Sequence, residues 1–132
     1  MGRKNSLDAL LLTTALAGFM LAAAPASAQD ISGTTWQRDS GASRVKFDRC
    51  GDAICGSLVW LKPGVETPAK IGQKIFFDMK PSGANAWSGN AFNPEDGKTY
   101  TGKMTLSGPL LTTEGCIMGG LICKSAVWSR VP

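Results

Sequence analysis

From Thr34 onward the chain is a succession of short apolar–polar alternations cut by turn residues, and there is little helical periodicity to compete with them. Residues 44–48 alternate strictly, with Val45 and Phe47 on one face and three charged side chains on the other. Residues 74–79 place Ile75, Phe77 and Met79 on a shared face in the same way. Side chains that alternate at period two belong to strands with one buried face. Segments of this kind are predicted at 34–37, 44–48, 56–61, 74–79, 85–92, 98–106, 110–116 and 124–131. Their spacing of roughly 8–12 residues is that of a sandwich or a barrel. Turn signals separate them, including Pro81-Ser82-Gly83, Ser107-Gly108-Pro109 and the run from Asn93 to Gly97, while residues 62–73 form the one long connection. Strands joined by short loops are antiparallel neighbours, and eight of them close into an all-β, up-and-down barrel. Closure removes the unpaired strand edges that a small open sheet exposes. An open or sandwiched sheet is the alternative.

The N-terminus is of another kind. Arg3 and Lys4 precede an apolar run over residues 10–24, Pro25 breaks it, and Ala26-Ser27-Ala28 offers small residues at a cleavage site. That order is expected of a secretory signal peptide over residues 1–28. The run is shorter than the roughly 20 residues needed to span a bilayer. The expected exported chain, residues 29–132, is a single domain without an integral membrane segment, destined for the periplasm or the exterior, and expected to be a monomer.

All four cysteines, Cys50, Cys55, Cys116 and Cys123, fall in that domain, and the sequence contains no histidine. An even number in a small exported domain points to disulfides rather than a zinc site, whose usual ligand spacings are narrower. Three connectivities are possible, and the local pattern favours one. Residues 116–123 read CIMGGLIC, with Gly119-Gly120 at the centre, where a tight hairpin needs positive φ. Counting outward pairs Ile117 with Ile122 and Cys116 with Cys123. The same counting around Asp52-Ala53 pairs Cys50 with Cys55.

Lack of histidine removes Ser-His-Asp and Cys-His arrangements, and no imidazole base near neutral pH is available. The carboxylates fall mainly in turns and at strand ends, where solvated charge is the expectation, and no phosphate loop or calcium loop is present. The chain is therefore not expected to be an enzyme, and no metal or cofactor is expected. Basic residues are scattered, unlike the clustered face of a nucleic-acid binder.

The runs CGSLVW (55–60) and WSGNAFNPEDGKTYTG (87–102), the Gly115-Cys116 pair and the closing WSRV (128–131) occur together in this order. In combination they resemble a bacterial exported family, domain of unknown function 2147. The likeness implies a lipocalin-like barrel of the calycin type and supplies no biochemical activity. Such barrels commonly stack a late arginine on an early tryptophan, which here implies a lock between Trp36 and Arg130. The resemblance also implies that some aromatic side chains line an open-mouthed cavity for a small apolar ligand such as a fatty acid. Phe47, Trp60, Phe77, Trp87, Phe92 and Tyr100 are the candidates. The competing expectation is a protein-binding module of the cell envelope, an inhibitor or assembly factor, with a side-chain-filled barrel. Its surface would be the apolar tip Ile117, Met118, Leu121 and Ile122.

Overall fold

The computed structural model describes residue 18 and residues 29–132. Apart from Gly18, the expected signal peptide lies outside the described residues. Eight strands run in sequence: β1 (Thr35–Arg38), β2 (Ser43–Cys50), β3 (Ala53–Leu61), β4 (Lys74–Gly83), β5 (Ala86–Asn93), β6 (Lys98–Ser107), β7 (Leu110–Ile117) and β8 (Ile122–Val131). Each pairs antiparallel with the next, and β1 pairs with β8, so the sheet closes into a barrel with strands in chain order. All eight strands and the core fall within residues 29–132, so a chain beginning at Gln29 carries the complete barrel. Among the described residues no helix is long and apolar enough to cross a membrane.

Up-and-down order sorts the connections between two ends. The β1–β2 turn, the long β3–β4 connection, the β5–β6 turn and the β7–β8 tip share one end. The other end carries the remaining three turns and both ends of the barrel segment. This second end is packed shut. Trp36, Phe47, Met79, Trp87, Met104 and Leu111 are buried there or just above it, each 3% exposed or less. Trp87 and Met104 face each other across β5 and β6. Burying one such side chain contributes about 1.5–3 kcal/mol, so this end carries a large share of the barrel's stability.

Alternation breaks down in β4. Asp78 adopts a positive φ of 53°, and the register with β5 shifts between Phe77 and Lys80. One extra residue in a strand turns the following side chains to the other face. A second irregularity near Gly56 shifts the register with β3. Consequently Phe76 and Met79 are buried, whereas Phe77 is only half-buried. The bulge also explains Gly89, where a Cβ would stand 2.4 Å from the Asp78 carbonyl oxygen. Only glycine lets β5 pass that close to the displaced backbone.

Both disulfides join the cysteines that local counting paired, Cys50 with Cys55 and Cys116 with Cys123. The β7–β8 register matches the count, with Ile117 opposite Ile122 and Cys116 opposite Cys123. The β2–β3 count needs correction. That hairpin turns on Gly51-Asp52, so Cys50 faces Ala53 and Cys55 faces Asp48, and the disulfide runs diagonally. Gly51 takes the positive φ of 68° at no steric cost, which draws the turn one residue earlier than Asp52-Ala53.

A polar clip ties the segment before β1 to β2. Asp30 accepts hydrogen bonds from the Ser32 hydroxyl (2.6 Å) and amide (2.9 Å), and its other oxygen meets Arg49 Nη2 at 2.7 Å. The Ser32 bonds and the Arg49 guanidinium lower the Asp30 pKa from 3.8 to about 2. Because the folded value is the lower one, the contribution of this clip is present above pH 3.8 and is lost as the pH falls towards 2. Asp30→Asn is expected to flatten acid unfolding across that window, the variant being less stable than the parent above pH 3.8 and converging with it towards pH 2. Urea unfolding of both chains at a series of pH values checks it, and parallel curves through the window would remove the clip from the account.

Candidate functional site

The end opposite the plug is open. A cavity of about 530 Å³ descends from it into the barrel, within the roughly 300–1,000 Å³ range of small-molecule sites. Its floor is apolar and is built by inward-facing positions of five strands: Val45 on β2, Leu58 on β3, Phe76 on β4, Ala91 on β5 and Trp128 on β8. The pleat puts them there. Trp128, Ala126 and Lys124 are successive inward positions of β8, and they grade from buried indole through a small side chain to a charged one at the rim. Phe76 meets Trp128 edge-on at 6.3 Å and Phe47 at 5.8 Å, so the floor is braced by an aromatic row.

Thr113 is the polar residue of the floor, and its hydroxyl accepts a hydrogen bond from Trp128 Nε1 at 2.9 Å. Among the described residues no buried side-chain nitrogen or oxygen lacks a partner. The floor is thus mainly apolar surface with its one buried hydroxyl already bonded to Trp128, and a polar or charged fragment would lose hydration there with little replacement. At the rim the chemistry changes. Arg38, Glu66, Thr67, Glu95, Tyr100 and Lys124 surround the opening. Thr67 Oγ1 donates to Glu95 Oε1 at 2.7 Å, which ties the β3–β4 connection to the β5–β6 turn across the mouth. The Tyr100 hydroxyl donates to Asp96, and this bond, with a second from the Lys98 amide, holds the Asp96 carboxyl below its usual range. The same bond raises the Tyr100 phenol.

Of the six aromatic candidates, Phe92 and Tyr100 line the cavity, and the other four do not. Phe47 lies under the floor and Trp87 in the plug, both 1% exposed. Phe77 is displaced by the β4 bulge, and Phe76 takes the lining position. Trp60 belongs to the outer wall, opposite Arg44 and beside a register shift between Arg44 and Val45. There the Arg44 guanidinium lies 4.7 Å from the Trp60 ring centre, held by an Nε bond to Gln37 Oε1 at 2.9 Å. This is the cation–π pair found among the described residues. The expected Trp36–Arg130 lock is not formed. The two residues face each other across β1 and β8, but Trp36 is buried and donates to Thr34 Oγ1, while Arg130 is exposed at the barrel end.

Sequence reasoning missed Phe76, Thr113 and Trp128 as lining residues. Trp128 was legible from the alternation of Ile122, Lys124, Ala126 and Trp128, which turns one face inward from rim to floor. Phe76 was not, because nothing in the residue pattern fixes a bulge before the partner strand is known.

A family model described as "Uncharacterized protein conserved in bacteria (DUF2147)" matches residues 34–130, nearly the whole barrel. Comparison with curated proteins gives no match. Among solved structures the chain is similar to "Protein HP1028 from the human pathogen Helicobacter pylori belongs to the lipocalin family", with a TM-score of 0.62 and 18% identity. The match covers 78% of this chain and 84% of that one. At that identity the likeness is one of fold.

Proposed function

The chain belongs to the bacterial family DUF2147, whose description names no activity, and we propose from its geometry that it is an exported carrier or sensor of a small apolar ligand such as a fatty acid. The observation that carries this reading is the one-ended cavity, apolar at its floor and charged at its rim. An acyl chain matches the floor, and the rim keeps a polar headgroup in water. Two disulfides and the N-terminal leader pattern support export. Binding rather than catalysis is favoured because the titratable groups ring the exposed mouth and none converges with a nucleophile in the depth. The alternative, a protein-binding barrel filled by side chains, describes the plugged end and leaves the open end unexplained.

The four tryptophans make the test specific, since Trp128 lines the cavity and Trp36, Trp60 and Trp87 do not. Titration with a series of straight-chain fatty acids is expected to quench indole fluorescence, and Trp128→Phe to remove the response. Each added methylene is expected to tighten binding by about fourfold, from roughly 0.8 kcal/mol per buried CH₂. Affinity that ignores chain length, or an undiminished response in Trp128→Phe, would place binding elsewhere or nowhere.

A further inference from the structure

Apolar exposure on this barrel is lopsided. Of the eight large apolar side chains exposed among the described residues, six lie at the mouth end: Val65 and Ile71 in the β3–β4 connection, and Ile117, Met118, Leu121 and Ile122 at the β7–β8 tip. Leu121 is 83% exposed and Met118 68%. Side chains this open contribute nothing to the core, and a contiguous exposed apolar tip marks a contact surface.

We propose that the β7–β8 tip inserts into the surface of an anionic lipid bilayer, bringing the mouth of the barrel against the membrane. Three features select a bilayer. The tip is one tight turn, with positive φ at Met118, Gly119 and Gly120, and it holds the two most exposed of these eight side chains, Met118 and Leu121. Its charge is of the right sign. Residues 116–124 contain Lys124 and no carboxylate, and Lys103 of β6 brings Nζ to 3.7 Å from the Cβ position of Gly120. Glu114 is the carboxylate of this hairpin, set back along β7 opposite Lys103. Apolar side chains flanked by lysines are the composition of an interfacial anchor, the ammonium groups meeting headgroup phosphates while the apolar groups enter the acyl boundary.

The third feature is continuity with the cavity. Ile117 and Ile122 line its opening as well as the base of the tip. The Cys116–Cys123 bond joins directly opposed residues with Cα atoms 4.1 Å apart, one step before that pair. It fixes the two isoleucines at the rim, so a membrane that receives the tip lies beside the opening. Docking itself requires no ligand in the cavity, and its test stands apart from the fatty-acid titration.

The chain from Gln29 to Pro132 is mixed with phosphatidylglycerol-containing vesicles in fatty-acid-free buffer and floated on a density gradient. The parent chain is expected to rise with the lipid. Met118→Asp with Leu121→Asp is expected to cut the lipid-bound fraction by at least ~10-fold, since two apolar anchors become charges. Val59→Asp, an equally conservative test of an exposed apolar position on the barrel wall, is expected to float like the parent. Circular dichroism confirms that all three chains are folded. A parent chain left with the lipid-free protein overturns the proposal, including the case where the tip docks a protein instead. So does flotation of the double variant equal to the parent, or an equal loss in Val59→Asp.

Discussion

Trp87→Ala is expected to destabilise the barrel by about 3–5 kcal/mol, a large share of the roughly 5–15 kcal/mol available to a domain of this size. Trp87 is 1% exposed and sits opposite Met104, with Met79, Trp36 and Leu111 buried in the same end of the core. Removing the indole opens a void that these neighbours are poorly placed to fill. Met79 is held by the β4 bulge, and β5 at Gly89 already lies against the Asp78 carbonyl, so β5 cannot close up on β4 to fill the void. The cost is therefore expected near the upper end of the range. Equilibrium urea unfolding measures it as a lower midpoint with an unchanged slope. Fatty-acid affinity of the fraction that remains folded is expected to stay within a few-fold of the parent, because Trp87 does not line the cavity. A loss of under 1 kcal/mol would mean that the plug is not where this barrel's stability resides.

The same residue shows how far the sequence can be read. Alternation and turn signals were enough for eight antiparallel strands, because each strand has one buried face and each short turn forces its neighbours to pair. They were enough for both disulfides: the Gly-Gly tip centres one pair, and the short spacing of Cys50 and Cys55 brings the other together although the count around Asp52-Ala53 is one residue off. The strands were read short at their ends: β3 starts at Ala53 rather than at residue 56, and β8 at Ile122 rather than 124. Backbone pairing extends to the turn whether or not the side chains alternate.

The site was less legible, for two physical reasons. Alternation gives two faces but does not say which end of an inward-facing row is plugged. Thus Trp87 and Phe47 were read as lining when they pack beneath it. And alternation is a local rule that bulges break. Asp78 interrupts β4, and the shift between Arg44 and Val45 sits beside Trp60. Phe77 ends on the face opposite to the one its spacing implied, and Trp60, a lining candidate through the family resemblance, ends on the outer wall. A charged Asp between Phe77 and Met79 is the one sequence clue, because short polar side chains tolerate positive φ better than most.

Ala126→Phe is expected to have the reverse signature of Trp87→Ala: little change in stability and a large loss of binding. Ala126 lies on β8 midway between the rim at Lys124 and the floor at Trp128, opposite Thr113, and its methyl faces the cavity. A benzyl group there projects into open space rather than into packed core, so the 1–3 kcal/mol penalty typical of overfilled interiors does not arise, and stability is expected to stay within about 1 kcal/mol of the parent. The ring instead occupies the volume of about three to four methylenes of an entering chain. At roughly 0.8 kcal/mol each, affinity for a long fatty acid is expected to fall on the order of 100-fold. Short chains that stop above Ala126 are expected to lose less, so the dependence on chain length flattens as well. Fluorescence titration through Trp128 reads both effects, since the substitution adds no indole. The plug and the cavity share one barrel but occupy opposite ends, and distant sites of this kind are expected to act additively in the double variant. Parent-like binding by Ala126→Phe, with its length dependence intact, would remove the ligand from this cavity.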